Sequence, residues 1–355
     1  MSALNSRSLF SRAVFGGLAS AAPMILLGVV ILLFAEPWIV RLAYASVVAI
    51  VVVVGLQVYV GNAGGVNFAH TVFVAIGAYA AAILSTPVAM KAIVIPNAPF
   101  GLAAISINPA FAALLGLGVV GIAALITGLL VVRLSGTAAD ILTLCLQIIA
   151  HGIFITWNDL FKGSQAFFGI PQVMSLPGAL LVATIVIIIA RVFRDSAPGV
   201  QLRASAENLM AARCFGVNVN KLRLIAWVLS ALICGAGGML FAFFIGTISA
   251  KSFYFSYVFL TIAMLILGGM RTVSGAVIGV LIVEIGIELI RNLENGPAIF
   301  GTQLPTMFGL SGLALGVVIV VCMVFRPNGI MGTRELDETL AEWLLKSRNK
   351  KDAQL

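Results

Sequence analysis

Long apolar stretches with short polar punctuation run through the whole chain. They fall at about residues 14–35, 39–60, 66–85, 109–132, 137–157, 177–193, 222–246, 254–270, 273–290 and 307–325. A helix rising about 1.5 Å per residue needs about 20 apolar residues to cross a hydrocarbon layer about 30 Å thick. The pattern therefore predicts an all-α fold, a polytopic transmembrane helix bundle of about ten spans. Only Glu36 and Pro37 separate the first two runs, which marks a sharp stop.

Two polar stretches are longer than turns. The first lies between Arg191 and Arg223, where Leu202, Ala206, Leu209 and Met210 recur with helical spacing and Arg203 and Glu207 are placed for an i, i+4 pair. This predicts one helix from about Val200, closed by Gly216 after Phe215. The second is the tail after Pro327, where Leu336, Leu340, Trp343 and Leu344 share a face. Its acids Glu335, Asp337 and Glu338 lie toward the start and Lys346 and Arg348 toward the end, as a helix dipole prefers. The expected organisation is a transmembrane domain over 1–332, with a cytoplasmic loop at about 195–221, and an amphipathic cytoplasmic tail over 333–355.

Composition agrees with bilayer as the solvent. Of 355 residues, 61% are hydrophobic and 10% charged, too few polar groups to face water around a chain of this size. The 36 glycines favour close helix packing in lipid. The net charge of +8 raises nucleic acid as a partner, but the bases sit at the ends of apolar runs and no basic stretch is interleaved with aromatics. They read instead as an orientation signal. With the N-terminus inside, sixteen of the 21 Lys and Arg fall on the cytoplasmic side, leaving Arg41, Lys91, Lys162, Lys251 and Arg291 outside. Both termini are expected in the cytoplasm. The run from Val14 to Ala35 exceeds a signal-peptide core and is expected to be a retained span.

Candidate chemistry is sparse. The chain contains no Gly-Lys pair, hence no phosphate-binding loop for ATP, and no G-x-S-x-G nucleophile motif. Its only histidines are His70 and His151, and Cys145, Cys214, Cys234 and Cys322 lack ligand spacing. No metal, cofactor or catalytic residue is expected. Along the fifth run and just past it, Asp140, Gln147, His151 and Asn158 fall within about 20° of a common line at helical pitch. Such a stripe either lines a translocation path or holds neighbouring helices by hydrogen bonds. In the ninth run Glu288 and Arg291 are spaced for a local ion pair, and Glu284 lies deeper, facing a pore, a partner helix or a proton. The external segment from Asn158 to Met174, with Phe167 and Phe168, is long enough to receive a protein or to pack as a plain loop.

Residues 203–216 (RASAENLMAARCFG), followed by Val217-Asn218 and Lys221-Leu-Arg-Leu224, resemble the coupling loop of the branched-chain amino-acid permease family of ATP-binding-cassette importers. Asn67-Phe-Ala-His70 with Gly77-Ala-Tyr79, Gly163-Ser164 through Gly169-Ile-Pro171, Leu267-Gly-Gly269 with Ser274-Gly275, and Phe325-Arg-Pro-Asn-Gly-Ile-Met-Gly332 are similar to further segments of that family. The early segment departs from the pattern at Gly61–Gly65 and Asn67, and Gln147 stands where the family has an acid.

The resemblance implies a type II importer fold in a bacterial-type inner membrane. It implies a partner permease chain, paralogous or identical, two cytoplasmic ATPases and an extracytoplasmic solute-binding protein. In that scheme Arg203, Glu207, Ala211, Ala212 and Gly216 belong to the ATPase-coupling helix, and His70, Asp140, Gln147, His151, Asn158 and Glu284 are candidates for the translocation path. Branched-chain or other hydrophobic amino acids are the implied solutes, with urea or short amides as alternatives. The span order would also suit the inverted repeats of an ion-coupled secondary transporter.

Overall fold

The computed structural model describes residues 2–294, 298–299, 302–303, 309–326 and 328–339. Fourteen α-helices follow one another among them, with short 3-10 turns at Pro99–Ala104 and Ala250–Phe253. The first seven are α1 (Ser2–Phe34), α2 (Pro37–Ala63), α3 (His70–Ser85), α4 (Val88–Val94), α5 (Pro109–Val131), α6 (Thr137–Thr156) and α7 (Asn158–Phe161). The rest are α8 (Leu176–Asp195), α9 (Ala197–Glu207), α10 (Leu209–Cys214), α11 (Val219–Ile245), α12 (Phe255–Gly268), α13 (Val273–Glu294) and α14 (Leu310–Phe325). Each of the ten apolar runs holds one helix. Eight stretches among the described residues are long and apolar enough to cross a membrane. Helices α3 and α14 are shorter, at 16 residues each, and α12, at 14, reaches span length only together with the 3-10 turn Ala250–Phe253 before it.

Helix α2 is the axis of the bundle. Pro37 opens it, where a missing N–H costs nothing, and Gly64 closes it in the left-handed region at φ 77°, donating to Val60 O. Every residue from Val47 to Val60 is buried, against α8, α11 and α13. A helix apolar on all sides and enclosed on all sides is a core helix of a membrane bundle. Tyr44 Oη donates to Leu240 O at 3.1 Å and Ser230 Oγ to Gly55 O at 2.6 Å, so each of these two hydroxyls is bonded to a backbone carbonyl of the facing helix.

Helices α3 and α11 approach through glycine. A Cβ on Gly77 would meet the backbone of Gly235, and one on Gly238 would meet Val74 O. Helix α5 sits at the periphery. Ala112, Gly116, Val120, Ala124, Gly128 and Val131 form its buried stripe, while Phe111, Leu115, Ile122, Ile126 and Leu129 point outward. A narrow stripe of small residues with bulky apolar groups on every other side is how a helix packs inward and faces lipid outward.

The polar runs differ from expectation. The third run begins its helix at His70 rather than at residue 66, because Gly64 and Gly65 end α2 and Asn67 turns the chain, its Oδ1 accepting from Ala69 N at 2.9 Å. At the far end, Phe167–Phe168 pairs antiparallel with Thr247–Ile248 and ties the loop after α7 to the loop after α11. The expected amphipathic tail helix falls mainly on residues 340–355, outside the described residues.

Candidate functional site

The segment between α8 and α11 is two helices, not one. Asn208 is extended at φ −148° and ψ 102°, and its Oδ1 accepts from Ala211 N at 3.0 Å, which caps α10 and ends α9. Asn competes with the helical backbone in this way, and here the cap wins over continuity. The predicted apolar face divides accordingly. Leu202 is buried and Leu209 half-buried, whereas Ala206 and Met210 are exposed. Gly216, at φ 77°, terminates α10 as expected, donating to Arg213 O at 2.9 Å.

The predicted Arg203–Glu207 pair is also replaced. Arg203 Nη1 donates to Asn62 Oδ1 at 2.8 Å and to Arg194 O at 2.7 Å, anchoring α9 to the ends of α2 and α8. Burial lowers the Arg203 pKa, as does the neighbouring Arg194. Glu207 instead meets Arg271, in the α12–α13 turn, at 2.8 Å. Helix α9 is thus built into the bundle. Helix α10 projects from it: Ala212 is its one buried residue, Ala211 is exposed, Met210 is 72% exposed and Phe215, just past it, 87%. Two large apolar side chains are thus held out on and just past a short capped helix.

Inside the bundle, His70 and Gln147 each hydrogen-bond across elements. His70 Nδ1 lies 2.9 Å from Asn67 O and Nε2 2.7 Å from Thr261 Oγ1. A nitrogen facing a carbonyl must carry a proton, so in the neutral ring Nε2 is the accepting nitrogen, open to the Thr261 hydroxyl, which also lies 2.9 Å from Tyr257 O and Val258 O. Gln147, 2% exposed, accepts from Thr71 Oγ1 at 2.8 Å and donates to Phe253 O at 2.9 Å. His151 stacks on Tyr254 with ring centroids 3.8 Å apart.

The predicted stripe is shorter than expected. Helix α6 ends at Thr156, so Asn158 leaves it and sits exposed on α7, lining a separate polar cleft with Asn97 and Lys162. Asp140 lies at the other end, in a cavity of about 390 Å³ shared with Tyr59, Ser205, Leu209 and Arg223, directly beside α9 and α10. Glu284 is apart from all of these, half-buried in an apolar cleft among α1, α2 and α13. The Glu288–Arg291 pair forms at 3.3 Å. Among the described residues no group of three or more metal-ligating side chains occurs.

Sequence reasoning placed Glu335 only as an acid at the start of a tail helix and missed its long-range partners. The residue is fully buried, and it bonds to the first turn of α13 and to two arginines of α8. A partner more than a hundred residues away leaves no periodic trace. The one available signal was an acid following the glycine-rich segment that resembles the family's terminal motif.

Long lipid-facing helices around a buried axis, with a built-in α9 and a projecting α10 at one end, define a polytopic permease-like membrane protein. Residues 38–323 match the family described as branched-chain amino acid transport system, permease component, and the chain belongs to that family. It is 28% identical over 211 residues to a probable branched-chain amino acid transport permease protein LivH of Methanocaldococcus jannaschii, covering 54% of this chain and 63% of that one. It is 28% identical over 156 residues to the high-affinity branched-chain amino acid transport permease LivM of Escherichia coli, covering 44% and 33%. A galactofuranose transporter permease of the same bacterium, YtfT, is 24% identical over 199 residues, covering 54% and 56%. The chain thus spans less than two thirds of the length of these relatives. No solved structure matches it.

Proposed function

We propose that this chain is the membrane-spanning permease subunit of an ATP-binding-cassette importer in a bacterial-type inner membrane, and that it carries branched-chain or other hydrophobic amino acids. The observation that carries this reading is α10, a capped helix presenting Met210 and Phe215 outward from a chain with no phosphate-binding loop of its own. An ATP-driven chain that lacks a phosphate-binding loop of its own must receive its energy through a surface of this kind. The end bearing α9 and α10 faces the cytoplasm, in keeping with the excess of Lys and Arg there.

Two cytoplasmic ATPases each receive one such helix from a pair of permease chains. Their nucleotide-driven closure shifts the bundle between two packings. An extracytoplasmic binding protein delivers the solute to the opposite end, where the Asn158–Met174 segment is ordered by its pairing with Thr247–Ile248. Of the pathway candidates, Asp140 is the best placed for contact with a leaving solute, because it lines the wide cavity beside α9 and α10.

The test is energetic. The chain, with its partner permease, ATPases and binding protein in proteoliposomes, should take up leucine, isoleucine or valine with ATP and not with a proton or sodium gradient alone. Uptake by the lone chain on an ion gradient would overturn the reading. A furanose sugar is the comparison solute, since a galactofuranose permease is among the relatives.

A further inference from the structure

Residues 328–338 form a strap that folds back against the α12–α13 turn. Ile330 N donates to Leu267 O at 2.9 Å and Met331 N to Gly268 O at 3.0 Å. Gly329 makes the approach possible: its φ is 75°, and a side chain there would collide with the backbone of Gly269. The strap delivers Glu335, 0% exposed, to the start of α13. Its Oε1 accepts from Val273 N at 2.9 Å, and its Oε2 from Ser274 N at 3.0 Å and Ser274 Oγ at 2.6 Å.

The same carboxylate holds α8. Arg194 Nε lies 3.1 Å and Arg191 Nη1 3.2 Å from Oε1. Arg191 also meets Asp195 at 2.7 Å and Asp337 at 3.1 Å, so its charge is shared between its own helix and the strap. A buried carboxylate needs such partners, and the N-terminus of α13 supplies a further positive field. Three elements far apart in sequence therefore meet on one anion. Helices α8 and α13 otherwise touch only lightly.

The position of this junction matters more than its strength. Buried ion clusters are weak evidence for stability, since apolar packing can serve as well, but they fix one geometry between the elements they join. Here the elements are α12–α13 on one side and, on the other, the last turn of α8, which runs directly into α9 through Ser196. Arg203 of α9 bonds back to Arg194 O, one residue from Asp195, and Glu207 reaches Arg271 in the α12–α13 turn.

We propose that Glu335 is a positioning residue for energy coupling: it fastens the α8–α9 unit to α12–α13, so that a displacement received at α10 moves these helices as one body. The extended Asn208 is then the joint between the contact piece and that body. This inference rests on the permease reading above.

The experiment uses the whole transporter in proteoliposomes and measures solute uptake and ATP hydrolysis in the same vesicles. Glu335→Gln keeps the volume and removes the charge that both guanidiniums face. It should insert normally and hydrolyse ATP, while uptake per ATP falls by roughly fivefold or more, the scale of a typical coupling free energy. Ser274→Ala removes one donor and leaves the ion pairs intact; it should lower the same ratio by about twofold. An unchanged ratio in Glu335→Gln, including an equal fall in hydrolysis and uptake, would overturn the proposal. If Glu335→Gln fails to insert, Ser274→Ala decides: a lowered ratio supports the proposal and a wild-type ratio overturns it. Absence of ATP-dependent uptake in the wild-type complex is a separate failure, and it removes the permease reading itself.

Discussion

Arg203 bonds to Asn62 at 2.8 Å, across 141 residues of sequence, and not to Glu207 four residues on in its own helix. The consequence is that α9 belongs to the bundle. Arg203→Ala would strip a charged donor from both Asn62 Oδ1 and Arg194 O. Because hydrogen bonds from charged groups contribute about 1.5–3 kcal/mol, and unsatisfied buried partners add to the loss, a destabilisation of about 2–3 kcal/mol is expected. Arg271→Ala breaks only the Glu207 pair, whose side chains are 59% and 67% exposed, and should cost about 0–1 kcal/mol. Thermal unfolding of the two variants in detergent checks the contrast, and similar melting temperatures would refute the assignment of Arg203.

Gly238→Ala tests the α3–α11 contact. The added methyl would collide with Val74 O, a backbone atom that cannot rotate away, so the helices must separate along their length. Overpacking of this kind costs about 1–3 kcal/mol. Gly152→Ala is the control, because a Cβ there meets nothing within 4 Å and alanine favours a helix by about 1 kcal/mol. The first variant should lower the melting temperature in detergent and the second should not.

Gln147→Leu separates the two roles open to the α6 polar stripe. Both ends of the amide are bonded to protein, at Thr71 and Phe253, as expected of a tie between helices. Leucine would leave the Thr71 hydroxyl and the Phe253 carbonyl without these bonds, a loss of about 1–3 kcal/mol. Stability should fall while uptake per folded molecule stays near wild type. His151→Leu loses a ring stack with Tyr254 and should behave likewise, though more mildly. Uptake abolished in well-folded Gln147→Leu would place the amide on the solute path instead.

The helices were legible because apolar runs of about 17 to 25 residues leave the backbone few other ways to satisfy itself in lipid. Breaks within polar stretches were harder to read. Helical spacing runs through Asn208 undisturbed, yet its side chain bonds Ala211 N more effectively than its backbone continues α9. Ion pairing was legible only where it is local. Glu288 and Arg291 meet as spaced, whereas Arg203, Glu207 and Glu335 all take partners brought to them by tertiary packing.

Lys91 supplies a test in pH. It is fully buried in α4, and its Nζ donates to Leu102 O at 3.2 Å and to Ile105 O, clasping the loop that leads to α5. Burial pushes its pKa below the ordinary 10.5. When this segment opens, the amine returns to water and regains its usual proton affinity. Between the lowered value and 10.5 the open state therefore binds more protons than the closed one, and stability of the closed state rises with pH across that window. The penalty is fully present below the lowered value and is gone once pH passes 10.5. Hydrogen exchange over residues 88–105, corrected for its intrinsic pH dependence, should show increasing protection from pH 7 to pH 10. In Lys91→Met, which cannot titrate, the corrected protection should be flat with pH, and a wild-type slope in that variant would assign the effect to another group.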